Sequence, residues 1–469
     1  MRIFSFIIST LITLALVFVL NHKWGSIPPL GKFLSPQQGF WQNAEPADHN
    51  FSEELKLKNL KAPVQVYFDE RLVPHIFAKG EEDAYFVQGY LHAQFRLWQM
   101  EFQTMAAAGR ISEILGDDPR FIRHDREQRR LGMVYGAENS LAEMEKHPDY
   151  KRVVDAYTAG VNAYINSLTE SSLPVEYKLL DYKPEAWSNL KIALFLKQMS
   201  KELAGFERDL EFTNTKQAFN VEEMKRLFPQ FSDSSAPIIP KGTAFEKPAI
   251  VPVKPATADS LYFGKDTIIR VQEAFKPDRN NGSNNWAVNG VKTKSGAPIL
   301  CNDPHLSLTL PSIWYEMQIS TPEMNVYGAS FPGTPTVIIG FNDSIAFGFT
   351  NAGRDVKDYY QIRFKDNSKK EYWYNGSWQP TKLRIEEIKA RGEICCYDTV
   401  AYTVFGPVMY DNSFTIDSTN HTALAVRWMA HDPSDEGLMW IRLDKAKNYH
   451  DFEEAIKVFK CPAQNMLFA

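Results

Sequence analysis

Cysteine is scarce in this chain, which has four cysteines among 469 residues. Four are too few for a disulfide scaffold, and the adjacent Cys395 and Cys396 rarely bond to each other. Long runs of basic residues are missing, and the net charge of −5 argues against binding to nucleic acid. There is no internal repeat, and the Gly-x-Ser-x-Gly elbow of many serine hydrolases is absent. With 44% hydrophobic and 23% charged residues, the composition is that of an ordinary globular protein.

The N-terminus does contain a long uncharged segment. Residues 3–20 carry no charge and follow Arg2. This segment is long for the core of a signal peptide and just long enough to span a bilayer. Because no clear small-x-small cleavage site follows it, we favour an uncleaved membrane anchor over a cleaved signal peptide. Either reading predicts a periplasmic or otherwise extracytoplasmic protein that contacts the membrane only through this segment.

A proline-rich stretch divides the rest of the chain. Before it, residues 64–78 alternate as two strands around a turn would. Apolar residues recur at helical spacing over 81–116, and further helical patterns cover 151–168 and 188–230. The stretch itself, residues 232–258, combines proline with serine, threonine, lysine and alanine, which is typical of a flexible or extended linker.

Beyond the linker the pattern changes to short strands. Residues 286–408 are rich in valine, isoleucine, tyrosine and phenylalanine and are punctuated by glycine and proline, and a last helix is predicted over 449–460. The predicted segments are a signal peptide or anchor (1–23), a tether (24–60), a largely helical region (61–231), a linker or spacer (232–282) and a sheet-rich region (283–469).

The sheet-rich region opens at Gly282-Ser283, followed by Asn-Asn-Trp. This sequence resembles the self-cleavage junction of the penicillin acylase (penicillin amidase) family of N-terminal-nucleophile hydrolases. The resemblance implies that Ser283 attacks the carbonyl of Gly282, and that hydrolysis of the ester leaves Ser283 as a new N-terminus. A hydroxyl alone is a weak nucleophile, whereas an α-amino group titrates near pH 8 and can act as its base. Glycine before the serine permits a strained backbone.

The resemblance covers about residues 60–469. In the first part it rests on residues 74–76, 89–101, 160–163 and 183–187, which we interpret as packing and turn positions. Phe95 departs from the family, which commonly has aspartate there.

Two asparagines match the family's oxyanion donors. The spacing from Ser283 to residues 348–351 agrees with the family without a gap, which implies that the backbone N–H of Asn351 is one donor; a register shift would make it Ala352. The second donor in the family is an asparagine side chain, which corresponds here to Asn465. In a dry pocket each donor stabilises the developing charge by about 3 kcal/mol.

Other residues match the family's acyl pocket. His305 lies in the segment 302–306, where the family places pocket residues, and we weigh a pocket role evenly against a structural one. Trp314 and Phe331, with Trp286 and Tyr315, would suit an apolar or aromatic acyl group, and the alternative is that they are simply core residues.

A calcium site is the one cofactor that the resemblance implies, and no organic cofactor is expected. Asp355 and Asp358 follow Asn351 at a spacing similar to the family's calcium ligands, and Glu211 resembles the ligand from the first part. Carboxylate oxygens suit calcium, although pairs of solvated acids on loops are common.

A competing class has three short motifs in this chain. Ser188-x-x-Lys191, Ser283-x-Asn285 and Lys294-Ser-Gly296 resemble those of penicillin-binding proteins and serine β-lactamases. The second and third lie too close together in sequence for that fold, so we reject this class. A catalytically inactive binding protein with an acylase fold is a further alternative, which the presence of both Ser283 and Asn465 disfavours.

We therefore predict an α+β N-terminal-nucleophile hydrolase, whose family fold is a four-layer αββα sandwich. The resemblance implies a self-processing amidohydrolase made of two non-covalently associated chains. Its substrates would be small N-acyl compounds, such as β-lactam side-chain amides or acyl-homoserine lactones, and no residue chooses among these. Because the match stops in mid-motif at residue 469, we also expect the region 283–469 to be an incomplete β chain.

Overall fold

A computed structural model describes residues 2–25, 27–44, 51–204, 208–229, 242–244, 281–415 and 422–469. Most of the predicted linker, residues 232–282, lies outside the described residues. The helices are α1 (Arg2–Asn21), α2 (Leu30–Phe33), α3 (Glu81–Ala108), α4 (Ser112–Leu115), α5 (Pro119–Leu131), α6 (Met133–Met144), α7 (Pro148–Ser167), α8 (Val175–Leu180), α9 (Asn189–Leu203), α10 (Asp209–Thr215), α11 (Val221–Leu227), α12 (Glu436–Leu443) and α13 (Tyr449–Ile456).

The strands confirm a mixed α+β chain. They are β1 (Gln65–Phe68), β2 (Pro74–Phe77), β3 (Gly282–Val288), β4 (Ile299–His305), β5 (Tyr315–Ser320), β6 (Asn325–Ser330), β7 (Ile339–Asn342), β8 (Ala346–Asn351), β9 (Lys357–Ile362), β10 (Glu371–Tyr374), β11 (Ser377–Pro380), β12 (Lys382–Ala390), β13 (Glu393–Thr403), β14 (Gly406–Tyr410), β15 (Ala423–Trp428) and β16 (Gln464–Phe468).

The largest sheet joins both parts of the chain. Its order is β1-β2-β5-β6-β7-β8-β16. Only the β2–β5 pair is parallel, and it links residues from before and after the linker, with His75 opposite Gln318. A second sheet has the order β12-β13-β14-β15-β9, and β3 with β4 and β10 with β11 form separate hairpins. The first part of the chain therefore contributes strands to a sheet that the second part mostly builds.

Helices cover one face of this sheet. Three acidic residues in the first turn of α3 suit its dipole, and Gly109, at φ +65°, ends the helix. Helix α3 crosses α7 so closely that a Cβ on Gly160 would lie 1.8 Å from the carbonyl oxygen of Phe86. His92, also in α3, hydrogen-bonds Tyr157 and Ser330 and so ties both helices to β6.

The β3–β4 hairpin covers the other face at β8. Phe347 and Phe349 of β8 belong to the helical core, so the alternation of side chains places Gly348 on the opposite face. A Cβ on Gly348 would indeed meet the Asn302 side chain of β4 at 2.1 Å. Around β8 the described residues thus form a helical layer, a sheet and a hairpin layer, and the four-layer sandwich stays a prediction.

Helix α1 stands apart from these layers. Residues Ile3–Asn21 have a mean hydropathy of 2.7, and the most apolar stretch among them contains no buried residue. Among the described residues this is the one helix long and apolar enough to cross a membrane. Its length and composition suit a membrane anchor and a signal sequence alike.

Candidate active site

Ser283 lies near the start of β3. In the hairpin it stands opposite Pro304, while Gly282 stands opposite His305. The Ser283 hydroxyl donates a hydrogen bond to the carbonyl oxygen of Gly282, with an Oγ–O distance of 2.5 Å. The hydroxyl is therefore beside the peptide bond that the resemblance implies it cleaves.

Asn302 and Gly348 seat this hairpin on the sheet. The Asn302 amide donates to the carbonyl oxygen of Phe349 at 3.0 Å, and the missing Cβ of Gly348 makes room for its side chain. Because Asn302 pairs with Asn285, which lies two residues after Ser283, the serine side chain shares the face that meets β8.

The end of β8 presents the first predicted oxyanion donor. Ala346 and Ala469 exchange both backbone hydrogen bonds, and six residues along Ala352 donates to Ala463 at 3.1 Å. Residue pairs along an antiparallel ladder are alternately hydrogen-bonded and non-hydrogen-bonded. Asn351 and Gln464 form the pair next to Ala352 and Ala463, so they are a non-hydrogen-bonded pair. The Asn351 N–H consequently points away from β16, whereas the Ala352 N–H already has a partner.

Asn465, the second predicted donor, lies beside the first. It pairs with Thr350 across β8 and β16, and Thr350 is on the same face as Gly348, which the hairpin covers. The Asn465 amide donates to Thr350 Oγ1 at 3.2 Å and approaches the Asn351 carbonyl oxygen at 3.3 Å. The Asn351 side chain is used elsewhere, because its amide donates to the Leu203 carbonyl at 2.6 Å.

An apolar cavity opens at this point, with about 720 Å³ of empty space, part of it open to solvent. Ser283, Asn351, Trp314 and Phe331 all line it, and the two aromatic rings stack with centroids 4.2 Å apart. Its other lining residues are Leu196, Met199, Leu203, Pro304, Leu306, Ile338, Ile339, Phe349, Thr350, Glu436, Trp440, Phe459, Cys461, Pro462 and Gln464. The structure thus brings four of the predicted site residues together around one cavity.

His305 is placed differently from these four. Its side chain is exposed, and its Nε2 lies 2.8 Å from Asp303 Oδ2 on the outer side of the hairpin. Its neighbours Pro304 and Leu306 line the cavity instead, as the alternation of side chains along the strand requires. His305 is next to the predicted cleavage site, since a Cβ on Gly282 would lie 3.6 Å from its ring.

The predicted metal ligands meet in part. Carboxylate oxygens of Asp355, Asp358 and Asp209 lie within 4.8 Å of one another. Glu211, the predicted third ligand, is on the same helix as Asp209 but outside this set. Desolvation is the main cause that raises the pKa of Asp358, and the negative charge of Asp355 is the next. A bound cation would relieve the repulsion between these two carboxylates. Three carboxylates fit the oxygen preference of calcium.

Sequence reasoning missed three residues of these sites. Asp209 carries a carboxylate, as Glu211 does, and lies half a helical turn from it. The helical pattern therefore does not show which of the two is the metal ligand. Glu436 and Trp440 line the cavity from α12, and their spacing of four residues places them on one helix face. That spacing was the available signal, but nothing in it connects α12 to Ser283.

The motifs of the competing class do not meet. Ser188 and Lys191 line a second cavity, together with Arg110 and Arg129. Ser283 lines the first cavity, which contains neither of them. In the described part of the chain, the Ser188-x-x-Lys191 motif and the Ser283-x-Asn285 motif therefore do not share a site.

Comparisons with known proteins agree with the resemblance. The family model for penicillin amidase matches residues 63–469. Acyl-homoserine lactone acylase QuiP of Pseudomonas aeruginosa is 28% identical over 359 residues, covering 75% of this chain and 41% of that protein. Penicillin acylase 2 proenzyme of Pseudomonas sp. SE83 is 29% identical over 366 residues, covering 76% and 45%. The chain thus spans less than half the length of these two relatives.

Among solved structures, a thermostable penicillin G acylase from Alcaligenes faecalis matches at 26% sequence identity. The match covers 39% of this chain and 33% of that one, with a TM-score of 0.34.

Proposed function

The chain belongs to the penicillin amidase family, and from this premise we propose that it is part of a self-processing amidohydrolase with Ser283 as its nucleophile. The observation that carries the proposal is the meeting of Ser283, Asn351 and an apolar cavity at the end of β8. One of its relatives is named a proenzyme, which supports processing of the precursor.

In the processing step, Ser283 Oγ attacks the carbonyl carbon of Gly282. The C–N bond breaks, the carbonyl carbon moves to Oγ as an ester, and the nitrogen becomes the α-amine of Ser283. Water then hydrolyses the ester and leaves a carboxylate on Gly282. The short contact between the Ser283 hydroxyl and the Gly282 carbonyl supports this step, because nucleophile and target are already adjacent.

After cleavage the two chains would stay together without a covalent bond. Strand β2 pairs with β5 across the cleavage point, and the core of α3, α7 and α9 packs on strands of the second part. A cation held by Asp209, Asp355 and Asp358 would add a further link, because Asp209 belongs to the first part and the others to the second. Its role would be structural.

In the hydrolytic reaction, Ser283 Oγ attacks the acyl carbon of an amide while its own α-amine accepts the proton. The Asn351 N–H and the Asn465 amide stabilise the oxyanion. The amine product leaves with the proton, and water releases the acid from the acyl-enzyme. The apolar cavity lined by Trp314 and Phe331 would hold the acyl group. Substrates would be N-acyl compounds, and α1 would place the enzyme outside the cytoplasm.

A hydrolysis screen tests this function. The processed enzyme is incubated with N-acyl amines of varied acyl chain, and the released acid is measured by mass spectrometry. We expect release that Ser283→Ala abolishes and that Ser295→Ala, an exposed serine of the β3–β4 loop, leaves intact. Release that survives Ser283→Ala would rule out this nucleophile.

A further inference from the structure

Two of the side chains in the cavity wall that carry polar atoms come from α12. Glu436 and Trp440 are four residues apart in α12 and both line the cavity that Ser283 lines. Glu436 Oε1 and Trp440 Nε1 are buried and have no hydrogen-bond partner among the described residues. Buried polar atoms are nearly always paired, because leaving one unpaired is costly. Because residues four apart on a helix share one face, an unpaired acceptor and an unpaired donor belong to neighbouring side chains of this wall.

The rest of Glu436 is held in place. Its other oxygen, Oε2, accepts a hydrogen bond from Ser434 Oγ at 2.7 Å and lies 3.7 Å from Lys197 Nζ. The side chains of Lys197 and Glu436 are only 1% and 4% exposed. The Lys197 ammonium group, on the Oε2 side, balances the charge of the carboxylate, while Oε1 remains able to accept a hydrogen bond.

We propose that this pair recognises a hydroxyl group on the acyl chain, an inference that rests on the proposed function. A hydroxyl both donates and accepts, so it can donate to Glu436 Oε1 and accept from the Trp440 indole N–H. Other groups fit less well. An ammonium would face the indole donor and the Lys197 charge, a carboxylate would face Glu436, and a carbonyl would leave Oε1 unpaired. The preferred substrate class is N-acyl compounds whose acyl group carries a hydroxyl in its buried part.

Binding of the free acids tests the selectivity without requiring hydrolysis. Two matched pairs are titrated into the full chain by calorimetry: 4-hydroxyphenylacetate against 4-methylphenylacetate, and 8-hydroxyoctanoate against nonanoate. In each pair a methyl group replaces the hydroxyl. We expect the hydroxyl ligand of at least one pair to bind about 10–100-fold more tightly, as hydrogen bonds that include a charged partner would give. Equal or tighter binding of both methyl ligands would overturn the inference.

Substitutions then assign the preference to the pair. Trp440→Phe removes the N–H and keeps an aromatic ring, so it should weaken the hydroxyl ligand about 10-fold and leave the methyl ligand within about 2-fold. The matched control is Trp428→Phe, because the Trp428 N–H also lacks a partner among the described residues but the residue is outside the cavity. Glu436→Gln should also reduce the preference. A preference that survives both cavity substitutions would overturn the inference.

Hydrolysis of the corresponding amides separates the two proposals. Selective binding of the hydroxyl acids with no hydrolysis of any amide would contradict the proposed function and leave the recognition site standing. Hydrolysis of hydroxyl and methyl amides at equal kcat/KM would leave the function standing and overturn the recognition site.

Discussion

The two faces of the seven-stranded sheet are built differently. On the helical face, α3 and α7 cross at glycine, and His92 is fully buried between α7 and β6. On the other face, the hairpin that carries Ser283 is held at β8, and its outer side leaves Trp286 and Ile299 53% and 50% exposed. The comparison teaches that a deeply buried framework supports the strands that carry the proposed oxyanion donors, whereas the proposed nucleophile lies on a lightly covered strand. Changes on the helical face should alter folding, and changes at the hairpin and β16 should alter chemistry.

The largest effect is expected at the edge of the sheet. Asn465→Ala should lower kcat about 10²–10³-fold, or about 2.7–4 kcal/mol, because one oxyanion donor is lost. KM should change little, since the donor acts in the transition state. Steady-state kinetics check this, with Asn351→Ala as the matched control, because the proposed role of Asn351 uses its backbone. An effect on KM alone, or an equal loss of kcat in the control, would contradict these assignments.

A smaller effect is expected in the helical core. Gly160→Ala places a Cβ 1.8 Å from the Phe86 carbonyl oxygen, so α3 and α7 must move apart at a cost of about 1–3 kcal/mol. Gly80→Ala is the control, because nothing lies within 4 Å of a Cβ there. Urea unfolding measures both. If the two substitutions lower the free energy of unfolding equally, the close crossing of the helices does not contribute to stability.

These contacts show which parts of the structure a sequence can predict. Local patterns indicated the β1–β2 hairpin and helices α3, α7 and α13, since each has its own apolar periodicity. They missed α5, whose turns carry many charged residues, because Arg130 is buried there by Asp398 and Asp411, which are distant in sequence. Asp118 as N-cap before Pro119 was a usable start signal.

The candidate site divides in the same way. Ser283, Asn351 and Asn465 were predicted because their local motifs resemble those of a known family. Glu436 and Trp440 reach the cavity only through tertiary packing of α12, in which the Trp440 ring meets Phe349 of β8, and no local pattern contains that contact. Asp209 joins Asp355 and Asp358 for the same reason.

Acid should destabilise the fold through two buried histidines. Burial lowers the pKa of His431 to about 4 and that of His92 to about 3. The unfolded chain therefore binds these protons more readily, and stability falls as pH drops below about 6.5 toward those values. Each histidine should remove about 2 kcal/mol between pH 7 and pH 5.

Comparison of variants isolates one histidine from the other groups that titrate in this range. In His431→Gln the loss of unfolding free energy between pH 7 and pH 5 should be smaller by about 2 kcal/mol. His450→Gln, at an exposed position, should show the same loss as the original chain. A loss unchanged in His431→Gln would mean that His431 is not buried in its neutral form.

The smallest change in unfolding free energy is expected at the carboxylates of Asp209, Asp355 and Asp358, where the two parts of the chain meet. Calcium at ten times its dissociation constant should raise the free energy of unfolding by about 1.4 kcal/mol, because Asp209, Asp355 and Asp358 would bind it only when folded. Asp358→Asn should abolish the gain, and Asp117→Asn, in an exposed loop, should retain it. Thermal unfolding with calcium and with chelator measures the difference; a gain that persists in Asp358→Asn would place the ion elsewhere.

The peptide bond between Gly282 and Ser283 gives the most direct test of Ser283 as an N-terminal nucleophile. N-terminal sequencing and intact mass of the purified protein should reveal two fragments, the second beginning Ser283-Asn284-Asn285-Trp286. Ser283→Ala should remain a single chain without amidase activity. An uncleaved protein that hydrolyses N-acyl amides, or cleavage at the same bond in Ser283→Ala, would contradict it.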